Sequence, residues 1–303
     1  MLVGIAAYNE EKNIGGLLSV LTGEEYVDQI VVVSSSTDRT NEIVQEHAKS
    51  KDPRVRLVPE IDRRGKSSAA NVILEHAEAG GFDIIVYMGA DNIPLAGSLK
   101  VLVSEFDNER VGVVGGKPEP VDKPSTFSGW TSHLQWNMHH VISETSEPKV
   151  SGELMAFRVG VVREIPIAII NDDAYIQLMA EEKGYDIKYA PSAVVKLKGC
   201  CTTADIVRQR RRVYLGHLQV LFLTGTKLST FKWRSYHRVL RASLPSFGPR
   251  QVCYLIGAVA LQAWAYLLAL TDFHLFRLPY KWKIAETTKE SIVIASSEQN
   301  HSV

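Results

Sequence analysis

The sequence predicts an α/β fold, a mostly parallel sheet with helices on both faces, followed by helices that meet a membrane. Three observations carry this. Short apolar runs alternate with segments of helical spacing through the first half of the chain. The charge is split although the total is zero: residues 1–200 carry a net −9 and residues 201–303 a net +9. Late in the chain, Val252–Leu270 is a stretch of 19 residues whose one strongly polar member is Gln262.

In order, Leu2–Ala7, Gln29–Val33, Val55–Pro59, Ile84–Met88 and Val111–Gly115 read as buried strands. Asn13–Leu21, Thr40–Ala48, Ser67–Glu78 and Ser98–Asp107 have helical spacing, and several begin with Asn, Thr or Ser, which can cap a helix. Pro118, Pro120 and Pro124 break this rhythm with a loop. A helix over Ser125–Val141, a strand over Lys149–Arg158 and a helix over Ala174–Glu182 follow. Asp205–Leu223 reads as a long helix with the basic run Arg208–Arg212. Thr230–Leu244 puts Trp233, Tyr236, Leu240 and Leu244 on one stripe, with Lys232, Arg238 and Arg241 elsewhere, the pattern of a helix lying in a membrane interface. Val252–Leu270 has a length of ~28 Å at ~1.5 Å per residue, close to the ~30 Å of bilayer hydrocarbon, and is expected to span. A buried core helix is the alternative. From Glu286 the chain reads as a solvated tail.

Composition narrows the classes. With 45% hydrophobic and 22% charged residues the chain folds. Three cysteines, two of them adjacent, make no disulfide framework or metal spacing, which fits a reducing compartment. Met1–Ala7 lacks the basic flank of a signal peptide, so none is expected. The arginines of Arg208–Arg212 are followed by Leu215, Leu218, Val220, Leu221 and Phe222, which favours a membrane-side helix and argues against nucleic acid. His139 and His140 fit either an acceptor phosphate or a plain helix surface.

In an α/β sheet, ligands bind at the carboxyl ends of the strands. Four loops fall there: Ala7-Tyr8-Asn9-Glu10, Ser34–Thr40, Arg64-Gly65-Lys66 and Gly89-Ala90-Asp91-Asn92. A carboxylate on such an edge, Asp91 here, can hold a divalent cation and through it a diphosphate. Asp172 and Asp173 stand before the helix from Ala174, where acids suit the first turn and where one carboxylate can serve as a base.

Taken with Gly65–Asn71, Gly152–Arg158, Asp172-Asp173-Ala174 and Gln209–Arg212, these pieces resemble, in order, the family-2 inverting glycosyltransferases over about residues 2–217. The resemblance implies the GT-A fold and transfer of a sugar from a nucleotide diphosphate sugar to an acceptor. It implies base and ribose contacts from Tyr8, Asn9 and Glu10, with Ala7, Ser34, Ser36, Lys66 and Asn92 completing the donor surface. Asp91 would hold Mg2+ or Mn2+. Asp173 would be the catalytic base, with Gly152, Glu153, Asp172 and Tyr214 on the acceptor side. Gln209 and Arg212 match the Gln-x-x-Arg-Trp motif of the polysaccharide synthases. Next to the diphosphate, a metal on Asp91 and the Arg212 guanidinium would neutralise the charge that develops on the leaving group.

The sequence departs from the family pattern in three places. The first aspartate of Asp-x-Asp is Gly89. Val33-Ser34 replaces the usual Asp-Asp pair, with Ser35 for the following glycine. The motif tryptophan is Val213, followed by Tyr214. The last change, with a single span, implies one sugar added per encounter. The expected organisation is a catalytic domain over 1–202, amphipathic interfacial helices over 203–250, a transmembrane helix over 251–271 and a basic, then disordered, tail over 272–303. The expected donor is a UDP-sugar ahead of a GDP-sugar, and the acceptor a lipid or lipid-linked molecule at the cytosolic face of the cell membrane. A homo-oligomer is compatible with this reading. Two alternatives stand beside it: a polyprenyl-phosphate sugar synthase, and a non-catalytic membrane-anchored binding subunit on the same fold.

Overall fold

The computed structural model describes residues 1–144, 148–225, 247–279 and 286–292. Apolar runs of five and six residues form β1 (Leu2–Ala7), β2 (Gln29–Ser34), β3 (Val55–Pro59) and β4 (Ile84–Gly89), all mutually parallel. In register, Ala7 lies level with Ser34, Ala6 with Gly89, and Ser34 with Pro59. The four strands therefore end along one line, and the loops that follow them share one edge of the sheet.

The other half of the sheet mixes directions. β5 (Asn92–Pro94), β6 (Val111–Pro120), β7 (Met155–Arg158) and β8 (Asp186–Leu197) complete the order β3-β2-β1-β4-β7-β6-β8-β5. β7 runs antiparallel to both β4 and β6, β8 pairs parallel to β6, and β5 antiparallel to β8. The expected strand over Lys149–Arg158 is shorter: its first six residues form a loop, fastened where Gln177 accepts from the Val150 N–H (3.2 Å) and donates to the Pro148 carbonyl (3.1 Å). β5 and β8 were not expected.

Alternation along β1 sends Val3 and Ile5 to one face of the sheet, against Leu17 and Leu18 of α1 (Ile14–Leu21) and Leu99 and Leu102 of α4 (Ser98–Ser104). Leu2, Ile85 and Tyr87 face the other side, against Ile73 of α3 (Lys66–Ala79) and Ile176 of α6 (Asp172–Glu182). Each fully buried aliphatic side chain contributes about 1.5–3 kcal/mol. α2 (Thr40–Ser50) lies beside β3. The capping expectation holds elsewhere than proposed. None of α1 to α4 has a side-chain cap, whereas Thr126 caps α5 (Phe127–Ser143) and Thr202 caps α7 (Thr203–Thr224). Asn13 does not cap because its side-chain oxygen accepts from the Ile292 N–H instead.

The apolar stretch is α8 (Pro249–His274), long and apolar enough to cross a membrane. It packs beside α7 along most of its length. Arg210 and Tyr214 donate to Gln262 (2.9 and 2.7 Å), Arg211 makes two 2.6 Å bonds to Asp272, and Phe222 meets Phe273 edge-on. Nearer its start, Tyr254 packs on Phe127 and Trp130 of α5. Ile256, Val259, Trp264 and Leu267, each more than half exposed, face away from the protein. The expected interfacial helix over Thr230–Leu244 lies outside the described residues.

The expected solvated tail is corrected over 286–292. A 3-10 turn, Glu286–Lys289, returns to the sheet edge. There Lys289 pairs with Glu10, the Ile292 N–H donates to Asn13 (3.2 Å), and Thr287 donates to Asp205 (3.0 Å). Ile292 and Thr288 are buried, so apolar packing and satisfied polar groups hold the segment in place.

Candidate active site

A cavity of about 800 Å3 opens over the carboxyl edge of β1, β2 and β4 and extends beneath α5, α7 and α8. Of the expected residues, Ala7, Tyr8, Glu10, Lys66, Asp91, Asn92, Gly152, Glu153, Asp172, Asp173, Gln209, Arg212 and Tyr214 line it. Asn9, Ser34 and Ser36 do not. Asn9 sits in the left-handed region (φ 53°), a conformation asparagine tolerates well. Its backbone N–H donates to Ser36 Oγ (2.9 Å), and its side-chain oxygen accepts from the Thr37 N–H (2.9 Å). Ser34 Oγ donates to Ser36 Oγ (2.8 Å). These three residues clamp two edge loops together, and Ser35 is the serine that reaches the cavity.

At one end of the cavity, three acids act on one another. Burial, then the charge of Asp91, pushes the Glu10 carboxyl up to about 7, while Lys289 and Asn13 oppose the shift. Burial and Asp91 likewise raise Glu153, which accepts from Asn92 Nδ2 at 2.9 Å. Glu153, expected on the acceptor side, thus stands beside Asn92 and within the field of Asp91. Asn92 Oδ1 is buried with no hydrogen-bond partner among the described residues. Two carboxylates held against their charge and an orphaned neutral oxygen, all hard donors, fit Mg2+ or Mn2+. Among the described residues no group of three His, Cys, Asp or Glu forms a cage, so ligands from a diphosphate would complete such a site. A Cβ at position 89 would lie 2.7 Å from Asp91 Oδ1, so Gly89 leaves room for the Asp91 carboxylate as it stands.

The two adjacent aspartates part company at the first turn of α6. Asp172 is buried, accepts from Tyr87 OH at 2.6 Å and lies 3.7 Å from Lys66 Nζ. Burial disfavours the Lys66 charge, but Asp172, Glu153 and Asp173 outweigh this and hold it protonated. Asp172, expected on the acceptor side, is therefore turned to Tyr87 and Lys66. Asp173 turns into the cavity. Its Oδ2 accepts from the Gly152 N–H (3.0 Å) and its Oδ1 from the Ala174 N–H (2.8 Å). Gly152 is a point of close approach: a Cβ there would come within 2.8 Å of Lys66 Nζ and 3.4 Å of Asp173 Cβ.

α7 supplies the wall opposite the sheet edge. Gln209 accepts weakly from Cys200 Sγ (3.5 Å), and Arg212 is exposed to the cavity, its charge felt by Glu153 and Lys66. Tyr214 donates to Gln262, lies under the Arg210 guanidinium (4.8 Å) and meets Tyr266 edge-on.

Two family models match this chain: glycosyl transferase family 2 over residues 2–165, more than half of it, and glycosyl transferase family group 2 over residues 84–279. The chain belongs to glycosyl transferase family 2. It is 27% identical over 233 residues to the probable glycosyltransferase YdaM of Bacillus subtilis (strain 168). The match covers 72% of this chain and 55% of the relative, so the chain spans about half the length of the curated protein it resembles. Among solved structures it is similar to the mannosyltransferase PcManGT from Pyrobaculum calidifontis, determined in complex with GDP-Man and Mn2+. The TM-score is 0.63 at 22% identity, covering 89% of this chain and 86% of that one. S. aureus TarS 1-349 aligns with a TM-score of 0.50 at 15% identity over 91% of both chains. These likenesses establish a GT-A-like fold for the family-2 chain.

Several cavity residues were not singled out by the sequence. Lys289 and Thr288 arrive from the far end of the chain; Tyr87, which donates to Asp172 from the core behind the cavity, hides inside a strand. Arg63 stacks over Tyr8 at 4.4 Å, a contact that the basic pair before Gly65 could have suggested.

Proposed function

We propose that the protein is an inverting transferase that moves a sugar from a nucleotide diphosphate sugar to a hydroxyl of a lipid or lipid-linked acceptor, one sugar per encounter. The observation that carries this is Asp173, turned into the cavity and fixed by two backbone N–H groups, in one chamber with Asp91, Lys66 and Arg212. The acceptor oxygen bonds to the anomeric carbon on the face opposite the diphosphate. The carbon–oxygen bond to the diphosphate breaks, its electron pair stays on the diphosphate, and the hydroxyl proton passes to Asp173. Lys66 and Arg212 hold the negative charge that develops. Asp91, with Asn92 Oδ1 beside it, would hold Mg2+ or Mn2+, which supplies Lewis acidity at the diphosphate when bound. PcManGT, solved with GDP-Man and Mn2+, supports a metal-dependent nucleotide-sugar reading. Because Asp91, Asp173, Gln209 and Arg212 all face one cavity, the catalytic reading is favoured over a binding subunit.

The outward apolar face of α8, bracketed by Arg250 and Arg277, supports contact with an anionic membrane surface on the cytosolic side. We infer that α8 lies in the plane of that surface and does not cross it. α7 runs beside it with Arg210 on Gln262, midway along α8, so a spanning α8 would carry that arginine into hydrocarbon at about 2.5–3.5 kcal/mol near the centre.

The test is a panel of UDP- and GDP-sugars with Mn2+ or Mg2+, with and without a lipid extract, read as nucleoside diphosphate released and glycolipid formed. A discrete glycolipid from one donor is expected. No release with any donor, or a ladder of long products, would refute the reading.

A further inference from the structure

Beyond Asp173, the cavity continues into a second polar region that the transfer chemistry does not use. Lys149, from the loop before β7, is anchored by its own carbonyl, which accepts from Ser143 Oγ at 2.8 Å. Its ammonium lines the cavity and interacts with Arg210 of α7 and with Asp173. His139 of α5 and His217 of α7 stand near enough to feel the Lys149 charge, and both line the same wall. His139 is buried, and neither ring nitrogen makes a hydrogen bond of normal geometry among the described residues; the Val150 backbone is the polar group that reaches the ring. Arg210 is held in place, its Nε on Gln262 and its plane over Tyr214.

Gathering like charges in a closed space is costly, and it is sustained where an anion is bound. The local electrostatics agree. Burial and Arg210 bring the Lys149 ammonium down to about 8, and burial and Lys149 bring His139 down to about 3, so the imidazole is a neutral donor and acceptor at physiological pH. An anion would relieve the repulsion and give the buried imidazole a partner. Donors from α5, α7 and the connecting loop suit a tetrahedral group with several oxygens better than a flat carboxylate. Leu255, Ala258 and Val259 of α8 line the cavity on the same side, and Val259 is also exposed on the outward apolar face.

We propose that Lys149, Arg210 and His139 form a subsite for a phosphate group carried by the acceptor, seating its hydroxyl toward Asp173 and its lipid portion along α8. The phosphate is bound there and not transformed. This rests on the transferase reading above and names the acceptor class for it.

The full-length protein is titrated with dodecyl phosphate, with neutral dodecyl glucoside and with inorganic phosphate, the amphiphiles below their micelle concentrations. Binding of UDP and GDP with Mn2+ is measured separately. Dodecyl phosphate should bind at least about tenfold more tightly than either other probe. The preference should vanish in Lys149→Gln and Arg210→Gln, and survive in Lys149→Arg and in the exposed control Arg56→Gln. Nucleoside diphosphate binding should persist in all of them, so loss of that binding in the wild type would instead indict the transferase reading. Equal affinity for the neutral amphiphile, inorganic phosphate bound as tightly as dodecyl phosphate, or displacement of dodecyl phosphate by UDP or GDP would overturn the subsite.

Discussion

At Asp173, hydrogen bonds to both carboxylate oxygens fix the direction of a group that must meet a hydroxyl. Asp173→Asn keeps these contacts in part and removes the proton acceptor. Transfer at saturating donor should fall by about 10²–10⁴-fold while donor binding stays; lost donor binding with intact turnover would show the role to be wrong. Asp172→Asn acts elsewhere. It leaves Lys66 without its nearest anion and should lower the melting temperature, at a cost of about 1–3 kcal/mol, with a smaller loss of transfer. Full loss of transfer at an unchanged melting temperature would reverse the two assignments. Glu10 carries the pH dependence. Its folded pKa, about 7, lies above the ordinary 4.5, so between these values the folded state holds more protons than the unfolded state, and stability falls as pH rises. Above pH 7 the cost is about 3 kcal/mol. Wild type should therefore lose stability relative to Glu10→Gln between about pH 5 and 8 in denaturant titrations; parallel curves would contradict this.

At the scale of the helix, α8 has two unlike faces. Ala265 and Ala269 are buried toward α7, and Asp272 pairs with Arg211, while Ile256 and Leu267 point outward. Binding of an in-plane helix scales with the apolar area it buries in the bilayer. Ile256→Glu with Leu267→Glu should release the protein from anionic vesicles in a flotation assay without changing its melting temperature. Labels placed at both ends of α8 should be quenched from the same side of sealed vesicles. Quenching of one end only would establish a span.

Across the whole molecule, ligand, metal and fold are coupled. Among the described residues the acids around Asp91 make no closed cage, so Mn2+ alone should barely shift the melting temperature, whereas Mn2+ with the matching nucleoside diphosphate should raise it. The linkage is about 2.7 kcal/mol at a hundredfold excess over Kd. Asp91→Asn should abolish the metal-dependent part and cut transfer at least ~10²-fold. A large shift with Mn2+ alone would reveal a complete metal site that the described residues do not form.

Local pattern determined much of this molecule. β1, β2 and β4 are each buried by their own consecutive apolar residues, whereas Val55 alone is buried in β3, and a strand that ends in a polar turn places that turn at the sheet edge. Tyr8, Glu10, Lys66 and Asp91 were legible for that reason. β8 was not: only some of its positions are buried, and Pro191 and two lysines, Lys188 and Lys196, interrupt its pattern, so its pairing with β6 and β5 decides that it is a strand. Nor could local pattern say which of Asp172 and Asp173 is buried, because neighbours on a helix point different ways and only the packing against Tyr87 and Lys66 decides it. The same holds for Asn9 and Ser36, whose hydrogen-bonding groups are spent on each other's loops. Glu10 and Lys289 are 279 residues apart, and Lys149, His139 and Arg210 come from three separate segments. Side-chain periodicity reports on a residue and its next turn or pleat. Electrostatic partnership across a cavity depends on distances that chain closure sets, and only the tertiary structure supplies those.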